Sequence, residues 1–219
     1  MSEHIGRSRP AIKRPTARGL ERTFKPYAIE LGYLVYAWNR LQDRFGLLFW
    51  DLSGIASGRH AFAIWHSVTN DRAQREMLRA TIESPMTKFE GESRAKADLL
   101  WMVNHANKMA DNRNDAIHSP FILNIGRGGT ELRSASGGGH PRAEKLKDKD
   151  LKVEFRYYAD CADVLSEFAE AMHRYLGKVD PTWPDRPLLP HLDRSLNHRP
   201  ARPRTPAKSR RHLVQFDRT

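Results

Sequence analysis

Three side chains near the end of one predicted helix have the chemistry to transfer a proton and to hold a negative charge. They are Arg113, Asn114 and His118. A histidine can give or take a proton near neutral pH, and a guanidinium offers fixed donors for an oxyanion. Arg113 falls on the apolar side of its helix. Because an unpaired buried guanidinium is costly, this arginine must have a partner or a task.

The helix that carries these residues is predicted to run from Leu99 to within about one residue of His118, because Pro120 disfavours helical geometry at Ser119. Asn114 and His118 are four residues apart, so they share a polar ridge with Asn107. At 100° per residue the apolar side chains form one stripe, which indicates a helix packed on a core. The stripe contains Leu99, Met102, Val103, Ala106, Met109, Ala110 and Ile117.

The order Arg113-Asn114-x-x-x-His118 resembles the R-polar-x-x-x-H motif of the HEPN superfamily. These are small helical bundles that include many metal-independent endoribonucleases of defence and toxin systems. In that family the motif closes the third long helix, and here two helix-length patterns precede it and one follows. In the order of its predicted helices, the chain resembles the family over roughly residues 24–177. Only the motif itself matches the family residue by residue.

The resemblance implies an endoribonuclease in which Arg113, His118 and Asn114 are catalytic and no metal or cofactor is needed. Attack of the RNA 2′-OH on the adjacent phosphorus would give 2′,3′-cyclic phosphate and 5′-OH ends. The resemblance also implies a homodimer in which two motifs face each other across a twofold axis and form one composite site. A toxin or defence role would add a nucleotidyltransferase-type antitoxin or another defence protein as partner.

Two other functions remain open. One is a non-catalytic HEPN-like module that binds nucleic acid or a regulatory partner, and the other is a basic helical protein that coats nucleic acid through its tails. Alternatively, the three residues have only structural roles: His118 interacts with the helix dipole, and Arg113 and Asn114 connect the helix to its neighbour.

Composition limits the class of protein. A chain of 219 residues can form one domain with a core and tails. The single cysteine, Cys161, excludes an intramolecular disulfide framework and is predicted to be a small buried residue. No stretch is apolar for long enough to cross a bilayer, and the first ten residues lack the apolar core of a signal peptide. A cytoplasmic protein without a membrane partner is therefore expected.

The positive charge is concentrated at the two ends of the chain. Of the net +11, residues 1–25 contribute +5 and residues 180–219 contribute another +5, so the middle is nearly neutral. The first segment is polar, and the last is rich in proline, so both are predicted to be flexible. Basic flexible arms commonly touch nucleic-acid phosphates, although a solubilising role is an equal alternative. Trp183, Leu188 and Leu189 are the residues of the last segment that could dock on the bundle.

A basic run on the second predicted helix suggests contact with an anion. This helix is expected from about Arg59 to Ser84, and its inward stripe changes halfway from apolar residues to Arg72, Arg75 and Arg79. Such a stripe can line a groove for RNA phosphate. The alternative is that the arginines are solvated or paired with nearby acids on the surface.

Two polar residues midway along this helix, Asn70 and Asp71, are candidates to orient Arg113 or His118. Their chemistry suits the task, because an amide or a carboxylate can accept a hydrogen bond from a guanidinium or an imidazole.

The predicted fold is an all-α, antiparallel bundle of four to five helices. The first helix is expected over 26–52 and the last over 151–176, each from apolar residues at steps of three and four. Between the third and fourth long helices, a β-hairpin and a mobile charged loop form an insertion over about 120–147 that could cover the substrate. The domain is placed at 24–178, between a basic arm over 1–23 and a tail over 179–219.

Overall fold

The fold is known here from a computed structural model, which describes residues 16–89, 92–126 and 129–192. The predicted all-α class is confirmed, since helices dominate and the sheet is one two-stranded antiparallel hairpin. The elements are α1 (Ala17–Ser53), α2 (Gly58–Ser67), α3 (Asp71–Glu83), α4 (Ala95–His118), β1 (Phe121–Gly126), β2 (Gly129–Ser134), a 3₁₀ turn (Ser136–Gly138), α5 (Pro141–Lys145) and α6 (Leu151–Leu176).

Helix α1 begins nine residues earlier than predicted. Thr16 caps it, because its hydroxyl accepts a hydrogen bond from the Gly19 amide at 3.2 Å. Pro26 lies inside the helix, where it removes the donor for the Arg22 carbonyl, and Arg22 is exposed enough for water to replace that donor. The flexible arm predicted over 1–23 is therefore wrong for residues 17–23, and residues 1–15 lie outside the described part.

The second predicted helix is wrong as a single element, because it is broken at residues 68–70. Val68 is extended, and Asn70 starts α3 by accepting hydrogen bonds from the amides of Arg72 and Ala73. The buried Gln74 side chain donates to the carbonyls of Trp65 and Val68 at the end of α2, at 3.1 and 2.9 Å. The break changes which residues of the basic run face inward.

Helices α1 and α6 run parallel, packed along most of the length of α6. Three ion pairs and one histidine–carboxylate contact join them, and the residue numbers of these contacts rise together along both helices. The antiparallel packing predicted for the last helix is therefore wrong at this contact. The bounds of α6 match the prediction, and Cys161 on it is buried as expected. The contacts between α1 and α6, in order along both helices, are Glu30 with Arg156, Arg40 with Asp163, Arg44 with Glu170 and Asp51 with His173.

The insertion after α4 is more ordered than predicted. The hairpin is present, with Phe121 opposite Ser134, although residues 127 and 128 of its turn lie outside the described part. The charged run after it is not simply a mobile loop, because it contains α5 and buries Ala143 and Leu146. Leu146 is part of the hydrophobic core, and its burial helps to hold this short helix on the bundle.

The start of the C-terminal segment packs on the bundle. Trp183 is 4% exposed, and its Nε1 donates to Asp98 of α4 at 2.9 Å. Arg186 donates to the same carboxylate, whereas Leu188 is exposed. Residues 193–219, and with them most of the predicted tail, lie outside the described part. In the described ranges, no helix has the length and apolarity needed to span a membrane.

Candidate functional site

Trp38 of α1 is the centre of a cluster that includes Arg113. Its indole is 1% exposed, and its Nε1 donates to Asp71 Oδ2 at 2.8 Å. The guanidinium carbons of Arg75 and Arg113 lie 5.4 and 5.1 Å from the centroid of the same ring. Helices α1, α3 and α4 thus converge on one indole, which attracts both cations through its π face.

Arg113 is partly buried and has partners on two elements. Its Nη1 donates to Asn114 Oδ1 at 3.0 Å and lies 3.9 Å from Asp71 Oδ2. Its Nε is buried and has no hydrogen-bond partner among the described residues. Burial lowers the pKa of Arg113, and the charge of Asp71 opposes that shift. The guanidinium is held as a cation whose donors are not all satisfied.

Arg75 is more deeply buried than Arg113, with 2% exposure. Its Nε donates to Asn107 Oδ1 of α4 at 2.6 Å, while its Nη1 has no partner among the described residues. Burial lowers the pKa of Arg75 to about 10, the charge of Asp71 opposes that shift and the charge of Arg113 adds to it. Arg75 remains charged at neutral pH, but it lies between helices and does not face a surface groove.

The other two arginines of the predicted RNA-binding run are placed differently. Arg79 donates to Asn104 of α4 and lies within 3.8 Å of Glu76 and Glu83, so it belongs to a network of surface pairs. Arg72 is exposed and forms no ion pair with a described residue. The run therefore does not present three arginines together on one open surface.

His118 ends α4 with an exposed side chain. It makes no hydrogen bond or ion pair within the described ranges. Along a helix, His118 lies about 7.5 Å beyond Arg113 and about 140° around the axis, so the two side chains leave α4 in different directions. Asn114 lies between them: its side chain accepts a hydrogen bond from Arg113, and it is one helical turn before His118.

The two predicted supporting residues, Asn70 and Asp71, have different contacts in the structure. Asp71 contacts Arg113 and Trp38, as described above. Asn70 uses its side-chain oxygen to cap α3 and has no described bond to Arg113 or His118. Its place just before an acidic first turn is the usual position of a helix cap.

Asp115 anchors the insertion beside the motif, a role that the sequence did not suggest. It is 7% exposed, and it accepts a hydrogen bond from Lys145 Nζ of α5 at 2.7 Å, with Arg142 Nε at 3.7 Å. Asp115 lies on the side of α4 opposite the apolar stripe, where Lys145 and Arg142 of α5 contact its carboxylate. The insertion is thereby fixed next to Asn114 and His118.

Trp38 is the member of the cluster that was missed entirely. In the sequence it fits the apolar stripe of α1 and is indistinguishable from a core residue. No local signal shows that a tryptophan will meet two arginines from other helices. Within the described ranges, no group of three or more potential ligands is placed to hold a metal ion.

No protein-family model matches this sequence, and no curated protein or solved structure matches it either. What the site can do must therefore be inferred from its own residues and their geometry.

The balance of charge in the cluster predicts that two substitutions affect stability to different extents. Asp71→Asn keeps an acceptor for Trp38 but leaves two desolvated guanidiniums without their carboxylate, so we expect the free energy of unfolding to fall by about 1–2 kcal/mol, less than for a fully buried pair because Asp71 is partly exposed. Arg75→Met removes one of the two cations and should change stability by less than about 1 kcal/mol, in either direction.

Urea unfolding followed by far-ultraviolet circular dichroism measures both effects. If Arg75→Met destabilised the chain more than Asp71→Asn, Arg75 would be a net stabilising residue and the charge balance described above would be wrong.

Proposed function

We propose that this chain is a metal-independent endoribonuclease of the HEPN type, in which Arg113, His118 and Asn114 act on the phosphodiester. The observation that carries the proposal is the arrangement at the end of α4. A partly buried, incompletely satisfied guanidinium is fixed by Asp71 and Trp38 and joined by Asn114 to the ridge that ends in an exposed histidine. A fixed cation and a free imidazole at the same end of one helix have the chemistry for charge stabilisation and proton transfer.

The roles follow from the chemistry of the groups. His118 takes the proton from the 2′-OH as that oxygen attacks phosphorus, or gives a proton to the departing 5′-oxygen. Arg113 donates to the phosphoryl oxygens as negative charge builds on them. Asn114 keeps the guanidinium in place through its 3.0 Å hydrogen bond. Asp71 acts as a positioning residue, because it contacts Arg113 from the preceding helix, α3.

A homodimer with a composite site belongs to the same proposal. In an in-line displacement, the attacking and leaving oxygens lie on opposite sides of the phosphorus. One imidazole cannot reach both sides in a single step, and each chain contributes one motif. A second copy, related by a twofold axis, would supply the other histidine. In this proposal, the four-part helical bundle consists of α1, of α2 and α3 together, of α4 and of α6.

A second candidate is a non-catalytic module that binds nucleic acid or a partner such as an antitoxin. The observation in its favour is that Arg113 already has Asp71 and Asn114 as partners inside the chain. An arginine with these contacts can be explained by packing alone.

Cleavage of an end-labelled RNA in the presence of EDTA tests the proposal. We expect products with 2′,3′-cyclic phosphate and 5′-OH ends, with the activity co-eluting with the protein, and no cleavage of DNA of the same sequence. A single 2′-deoxy substitution at a cleaved position should protect that position, because the nucleophile is gone. Products with 3′-OH ends would contradict the mechanism, and RNA that is bound but stays intact would favour the non-catalytic module.

A further inference from the structure

The outer face of α1 carries basic residues that are followed by apolar and aromatic residues on the same line. All of these side chains are exposed, with Ile29 at 46%, Tyr33 at 57% and Tyr36 at 67%. At 1.5 Å per residue, the line is about 27 Å long. At helical steps of three and four, it contains Arg18, Arg22, Lys25, Ile29, Tyr33 and Tyr36. We call these six residues the outer stripe.

The basic half of the outer stripe precedes the part of α1 that packs against α6. Helix α6 begins at Leu151, and its first contacts with α1 are Lys152 over the ring of Tyr27 and Arg156 with Glu30. The residues of α1 before Tyr27 therefore extend past the start of α6. All of them are exposed or only partly buried in the described structure.

In the aromatic half, Tyr33 is flanked on one side by Arg156 of α6. Arg156 makes two 2.7 Å hydrogen bonds to Glu30, and its guanidinium carbon lies 5.8 Å from the centroid of the Tyr33 ring. These contacts restrict Arg156 and place a cation beside an exposed ring.

The charge and the aromatic residues together indicate the class of partner. Between Arg18 and Lys25 the only acid is Glu21, so this part of the helix is positive, and residues 1–15 add four basic residues against one acidic residue. Closely spaced cations bind phosphates, and exposed tyrosines stack on bases in single strands. An apolar protein surface would match the tyrosines but leave the three cations unpaired.

We propose that the outer stripe binds single-stranded nucleic acid, with phosphates at Arg18, Arg22 and Lys25 and bases stacked on Tyr33 and Tyr36. The surface lies on α1, outside the proposed catalytic residues. It binds whether or not the chain cleaves RNA, so the two proposals can fail separately.

Fluorescence anisotropy with a labelled single-stranded 2′-O-methyl RNA tests the surface in the full chain, because this probe lacks the 2′-OH nucleophile. The triple change Arg18→Gln, Arg22→Gln, Lys25→Gln should weaken binding at least about 10-fold. It should also lower the slope of log affinity against log salt by about 2, since each phosphate contact contributes about 0.7. The matched control removes three exposed cations from other elements, namely Arg59→Gln, Lys88→Gln and Lys96→Gln.

The aromatic half has its own variant. Tyr33→Ala with Tyr36→Ala should weaken binding at least about 10-fold while leaving the salt slope unchanged, because stacking releases no counterions. Met86→Ala with Leu188→Ala, two exposed apolar residues elsewhere, should bind like the wild type.

Wild-type affinity in both outer-stripe variants would overturn the proposal, as would an equal loss in the two control variants. Sedimentation equilibrium tests whether the aromatic half is instead an interface between two copies of the chain. If Tyr33→Ala with Tyr36→Ala dissociates a dimer without changing the affinity for RNA, the aromatic half is an interface between two copies and the proposal is wrong.

Discussion

Replacing His118 with alanine is expected to lower the rate of RNA cleavage by about 10²- to 10⁴-fold, the usual contribution of a general acid or base. The side chain is exposed and has no described partner, so its removal should leave the far-ultraviolet circular dichroism and the urea midpoint unchanged. The measurement is single-turnover cleavage of labelled RNA with EDTA, by both proteins purified in the same way.

His60→Ala is the matched control, because His60 is an exposed histidine on α2 and only its backbone amide forms a described hydrogen bond. It should cleave like the wild type. The composite site adds a second outcome: excess His118→Ala protein should lower wild-type activity by forming mixed dimers. Cleavage by His118→Ala at the wild-type rate would remove His118 from the mechanism.

Replacing Trp38 with alanine is expected to lower the free energy of unfolding by about 3–5 kcal/mol, the range for a fully buried large side chain. The loss has three parts: the cavity, the Nε1 hydrogen bond to Asp71, and the ring that faces Arg75 and Arg113. Urea unfolding followed by circular dichroism is the suitable measurement, because removing a tryptophan also alters the fluorescence signal.

Trp38→Phe separates the cluster from general packing. It keeps a ring beside the arginines but removes the donor that holds Asp71. We therefore expect it to lower the rate of RNA cleavage more than the control variant Trp65→Phe does. Trp65→Phe is the control, since Trp65 is equally buried and does not contact Arg113. If the two phenylalanine variants have the same activity, the contact between Trp38 and Asp71 does not position Arg113.

Elements encoded by local spacing were predictable. The apolar steps of α6, the proline that ends α4 just after His118, and the hairpin around its glycines all depend on neighbouring residues, and the structure contains them. The break between α2 and α3 was missed although Asn70 is a good capping residue. Apolar periodicity alone does not show whether a polar residue at mid-helix begins a new helix.

Elements that depend on distant contacts were not predictable. Helix α5 is short and charged, and it exists because Ala143 and Leu146 are buried and Lys145 reaches Asp115. The parallel direction of α6 relative to α1 results from the path of the chain through the hairpin and α5. A seam of apolar residues is the same whichever way its neighbour runs.

The sequence by itself determined the helical class, the position of Arg113 on the inward side of α4, and the concentration of positive charge near the chain ends. Only the tertiary structure decided that Asp71 and Trp38 contact Arg113, that Arg75 is buried between helices, and that His118 stays exposed. The physical reason is that periodicity fixes the direction of a side chain relative to its own helix. The partners of a charge, and its exposure to water, depend on which other helices pack against that face.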